Sequence, residues 1–103
     1  MIIVEGWIKL AEGEIDRLRD KALTMMEETR KEEGCLLYVY SREVENPDTM
    51  RISERWANQE ALNAHGKSAH MAEFNKAMAG AKTLGASVQA YPAEEGRTLL
   101  GGD

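Results

Sequence analysis

The chain is poor in cysteine, proline and phenylalanine, has only two histidines, and contains neither a run of like charge nor a long apolar stretch. Each scarcity removes a class of reading. A single cysteine, Cys35, cannot close an internal disulfide and has no second cysteine at metal-binding spacing. It sits in an apolar run, so it is expected to be a buried packing residue without a catalytic part, in a chain suited to a reducing, cytoplasmic setting. The formal charge is −5 and the Lys and Arg residues are scattered among acids, leaving no continuous basic face for phosphates. Nucleic acid is therefore not an expected partner. The first residues, Met1 to Trp7, carry no basic residue ahead of their apolar ones and meet an acid at Glu5, so neither a signal peptide nor a membrane span is expected. No Gly-x-Gly-x-x-Gly, Walker loop or Gly-x-Ser-x-Gly elbow occurs, nor any Asp, Glu and His cluster at local metal spacing. No cofactor and no bound metal are expected.

What is present alternates or repeats with clear periods. Ile2 to Leu10 reads as a first strand, with Ile2, Val4, Gly6, Ile8 and Leu10 on one side. Ile15, Leu18, Ala22, Met25, Met26 and Thr29 recur at helical spacing, which predicts a helix from about Glu14 to Glu33 capped by Gly34. Cys35 to Glu45 and Met50 to Trp56 form a hairpin about the turn Asn46-Pro47-Asp48. Asn58 can cap a helix carrying Leu62 and His65; Gly66 and Ser68 suggest a break, and a second piece runs from Ala69 to Ala81, closed by Gly85. Ala86 to Tyr91 is the last strand, ended by Pro92. The order βαββαβ predicts an α+β, ferredoxin-like fold: a four-stranded antiparallel sheet with its helices on one face. Residues 1–92 make the domain and residues 93–103 a tail. A chain of this size with one bare sheet face is expected to form a homodimer.

Several residues could carry chemistry. Strand parity places Ile52, Glu54 and Trp56 on one face, toward the helices, and the returning helix brings Leu62 and His65 over the same layer. Trp56 and His65 are thus expected to line one cavity, with Tyr38 or Tyr40, Leu62, Met71 and Phe74 around it. The competing reading is an ordinary core built from these residues with Met25, Met26 and Met78. Glu54, an acid with inward parity, either pairs with an Arg, forms an edge hydrogen bond or lies in the pocket with a raised pKa. Histidine is the side chain that exchanges protons near neutrality, so His65 or His70 could deprotonate a phenolic hydroxyl; a histidine without a ligand is the alternative for either. On an unbroken helix their five-residue separation corresponds to about 140° around the axis, which argues against shared metal ligation.

The block Gly34-Cys35-Leu36-Leu37-Tyr38, then Glu54-Arg55-Trp56, then Glu60-Ala61-Leu62 with His65, Ser68 and His70, resembles the antibiotic biosynthesis monooxygenase (ABM) family. The resemblance spans about Ile2 to Tyr91 and implies a dimeric α/β barrel with a pocket for a small aromatic molecule. It further implies oxidation of a phenol or quinol by dioxygen without a cofactor, with Trp56 lining the pocket against the substrate. Two polar residues that assist catalysis in well-described oxygenases of the family correspond here to Ile52 and Leu62. The Asn that haem-degrading relatives carry on the first strand corresponds to Gly6. A non-catalytic small-molecule or stress-response module and a haem-binding relative therefore remain alternatives to the quinol-type monooxygenase.

Overall fold

A computed structural model describes residues 1–102. Its elements are β1 (Ile2–Leu10), α1 (Glu14–Thr29), β2 (Cys35–Arg42), β3 (Thr49–Trp56), α2 (Gln59–Gly66), α3 (Ala69–Ala79) and β4 (Thr83–Pro92). The strands form one sheet in the order β2-β3-β1-β4, every neighbouring pair antiparallel. This is the expected ferredoxin-like arrangement, with the second helix divided in two.

Alternation along β3 decides which face is covered. Met50, Ile52, Glu54 and Trp56 are buried while Arg51, Ser53 and Arg55 are exposed, because the period of two sends successive side chains to opposite faces. Val4 of β1 and Tyr38 of β2 join the buried set, and Met25 of α1 with Phe74 of α3 closes it from the helical layer. The opposite face carries Ile3, Trp7, Leu37 and Val39 among the polar residues Glu5, Arg51, Ser53 and Arg55. The edge strand β4 is exposed along nearly its whole length. Pro92 is tolerated at its end because an edge strand need not donate every backbone bond.

Several boundaries differ from the sequence expectation. Helix α1 stops at Thr29 rather than Glu33, since Lys31 and Glu32 donate to carbonyls only three residues back, tightening the chain into turns. Gly34 is consequently not a helix cap. Its φ of +83° ends that run of turns, and a Cβ there would lie 2.5 Å from Cβ of Ala61, so the start of β2 and α2 can touch only through a glycine. Strand β2 ends at Arg42, before Glu45. Helix α3 ends at Ala79, and Gly85 lies within β4, which starts early because Thr83 and Gly85 pair with Leu10 and Lys9.

At Gly6 the backbone of β4 fills the space beside β1. A Cβ there would stand 2.1 Å from the carbonyl oxygen of Ser87 and 2.6 Å from Cα of Val88. Among the described residues no helix is long and apolar enough to cross a membrane.

Candidate functional site

Trp56, fully buried, is the hub of a polar and aromatic cluster between the sheet and the paired helices α2 and α3. Its Nε1–H donates to Oε1 of Glu54 at 2.9 Å, a bond between two residues that β3 places on the same face. The His65 ring packs beside the indole at 4.8 Å between centroids, and the Tyr38 ring meets it edge-on at 6.3 Å. Tyr38 also contacts His65 edge-on at 5.1 Å. Its hydroxyl lies 2.6 Å from that of Tyr40, whose ring stacks on Phe74 at 5.4 Å.

The histidines arrive from two helices. Asn58 caps α2 by accepting from the Ala61 N–H, and α2 buries His65 near its end. Ser68 then caps α3, accepting from the Met71 N–H and donating to the His65 carbonyl. This break changes the relation of the two rings. His65 Nδ1 lies 2.7 Å and His70 Nε2 2.9 Å from the same oxygen, Oε2 of Glu32. The separation of about 140° that an unbroken helix would impose, and that argued against shared metal ligation, does not apply here, because the helix breaks between the two rings. Glu32 itself was missed. It lies 33 and 38 residues from the histidines it joins, and no local spacing signals the contact.

Burial sets the protonation of the remaining groups. Desolvation raises the Glu54 carboxyl above its ordinary range; the Trp56 bond and the His65 ring pull it down and Glu32 adds to the rise. Both tyrosine hydroxyls are pushed up, first by burial, so they remain neutral donors rather than bases. Burial likewise raises the thiol of Cys35, which is half-buried against the core.

Two cavities flank this cluster. One of about 480 Å³ opens between α1, α3 and the hairpin, walled by Tyr40, Phe74, Met26, Met50 and Met78, with Asp16, Arg19 and Arg42 among its lining residues. The other, about 500 Å³, is lined by His70, Met25, Glu28, Glu73 and Phe74. Phe74 belongs to both walls. Trp56, Glu54, Tyr38 and His65 lie behind them, touching neither space, while Leu62 and Met71 pack partly buried against the core. The residues expected around one cavity are therefore brought together as a cluster, and Tyr40, Phe74 and His70 are those that face open volume.

The chain matches the family model described as antibiotic biosynthesis monooxygenase over residues 1–77. It is similar to YcnE of Bacillus subtilis, a protein provisionally assigned as a monooxygenase, at 26% identity over 72% of this chain and 78% of that one. Among solved structures, a Deinococcus radiodurans protein assigned provisionally to antibiotic biosynthesis monooxygenases superposes with a TM-score of 0.89 and 27% identity, covering 98% of this chain and 100% of that one. A conserved protein of Methanosarcina mazei Go1 does so at 0.83 and 25%, covering 90% and 92%. With the family model matched over residues 1–77 and the sheet order in agreement, the chain belongs to the antibiotic biosynthesis monooxygenase family.

Proposed function

We propose that the protein is a cofactor-independent monooxygenase that oxidises a small, electron-rich phenol or quinol with dioxygen to a quinone. The observation that carries this reading is the cavity of about 480 Å³ walled on one side by the stacked pair Tyr40 and Phe74 with three methionines and rimmed by Asp16, Arg19 and Arg42, backed by buried hydroxyl, imidazole and carboxyl groups. A flat aromatic ring suits such walls, and methionines adapt to its outline.

In this scheme the ring lodges against Phe74 and the Tyr40 hydroxyl, held by Tyr38, donates to the phenolic oxygen. A tyrosine kept neutral by burial favours the phenolate by donating to it. His70 lines the separate space on the other side of Phe74, so in this scheme it takes the phenolic proton through intervening water, with His65 behind it on the same Glu32 oxygen. The phenolate gives one electron to dioxygen, the two radicals combine at a ring carbon, and loss of water from the hydroperoxide leaves the quinone. Each turnover thus consumes one dioxygen and releases one water. Trp56 and Glu54 act by position, fixing the His65 ring from the sheet side.

The same reading includes a homodimer in a cytoplasmic setting, formed through the bare sheet face with its Ile3, Trp7, Leu37 and Val39. The test is oxygen uptake by the metal-free protein against a panel of quinols and polyphenols. We expect uptake matched by quinone formation, kcat lowered at least about tenfold in His70→Ala and KM raised in Phe74→Ala. Saturable quinol binding without oxygen consumption would instead mark a non-catalytic binding module.

A further inference from the structure

Glu32, His65 and His70 present one carboxylate oxygen and two imidazole nitrogens, all within 4.8 Å of one another. They come from three separate segments: the turn after α1, the end of α2 and the start of α3. Two of the three are anchored through their backbone carbonyls. The Glu32 carbonyl accepts from the Cys35 N–H, and the Ser68 hydroxyl ties the α2–α3 junction to the His65 carbonyl.

Two neutral imidazoles and a carboxylate form a three-ligand set that leaves a fourth position for water or another donor. Tetrahedral coordination at zinc-type bond lengths puts ligand atoms about 3.3 Å apart. The spacings of 2.7 and 2.9 Å from Glu32 to the histidines need to open by tenths of an ångström, and the two histidine nitrogens, within 4.8 Å of each other, need to close by up to about 1.5 Å. Side-chain rotations can supply that. His70 is one wall of the cavity that also carries Asp20, Glu28 and Glu73 with Lys21, so acids outnumber bases on the approach to the cluster. Hard cations such as calcium and magnesium prefer an all-oxygen shell, whereas imidazole nitrogens select zinc-type ions.

We propose that Glu32, His65 and His70 form a binding site for a first-row divalent transition metal of the zinc type. A bound metal would compete with the oxidation chemistry for His70, since a ring nitrogen that holds the ion cannot take a proton, so the test reads binding rather than turnover and is run on the metal itself. Zn2+ is titrated calorimetrically into the chelator-treated full chain, with Co2+ as an optical probe of coordination. One ion per chain is expected, with visible Co2+ bands of low-symmetry nitrogen and oxygen ligation and a raised thermal midpoint with Zn2+. His70→Ala, which alters the most exposed of the two histidines, should weaken Zn2+ at least about tenfold, since even outer-shell losses cost that much at metal sites. Circular dichroism checks its fold, and Glu32→Gln provides a second variant that should lose the thermal shift if His70→Ala unfolds. No saturable binding in the parent chain, or equal affinity and an unchanged Co2+ spectrum in the variants, would overturn the proposal and leave a hydrogen-bonded trio only.

Discussion

Burial holds the Glu54 carboxyl above its ordinary range, against the opposing pull of the Trp56 Nε1–H and the His65 ring. The folded chain therefore keeps a proton that the unfolded chain releases at lower pH. Stability contributed by this group is full below the unfolded carboxyl range and falls as pH rises through the folded value. Glu54→Gln removes the titration while leaving an amide oxygen to accept from Trp56. Its thermal midpoint should exceed that of the parent at pH 8 and converge with it near pH 4. A constant difference across that window in scanning calorimetry would contradict this account. The sequence made Glu54 legible as an inward acid by strand parity, but not its partner, since the arginines of the same strand, Arg51 and Arg55, point to the opposite face while Trp56 shares its own.

At the scale of elements, the short break between α2 and α3 does more than turn the chain. Without it, His70 would continue around a single helix away from His65. Ser68 stabilises the break through two hydrogen bonds, one accepted from the Met71 N–H and one donated to the His65 carbonyl. Ser68→Ala should cost about 1 kcal/mol in urea denaturation, the usual loss for an N-cap. It should also loosen the pairing of His70 with Glu32, visible as a change in histidine ring nitrogen shifts; unchanged shifts with full stability would count against a structural role for the hydroxyl. The strands and the break itself were legible because alternation, turn residues and caps are local signals. Meeting of Glu32 with the histidines was not, because three segments distant in sequence create it only when α1 ends early at Thr29.

For the whole molecule, the uncovered sheet face is the main unsolved exposure. Ile3, Trp7, Leu37 and Val39 lie there with polar neighbours, and β4 stays open along its length. On the reading offered above, light scattering at micromolar concentration should give twice the chain mass. Val39→Asp places a charge on that face at mid-length of the edge strand β2, opposite the neutral Ser53, so it should shift the mass toward the monomer without a like-charge clash across that strand pair. A parent chain that is monomeric at that concentration would remove the dimer.

The pinch between β1 and β4 bears on descent as well as on shape. At Gly6 the neighbouring backbone occupies the volume that any side chain would need. A polar group on the first strand, of the kind that haem-degrading relatives carry, therefore cannot arise here by one substitution. The C-terminal strand would have to move outward first, a step that disrupts the Gly6 to Val88 pairing before the new group could be of use. Drift at this position is confined to glycine, so a change in chemistry along this lineage would have to enter through the helices and the hairpin, where Ile52, Leu62 and Phe74 have side chains to exchange.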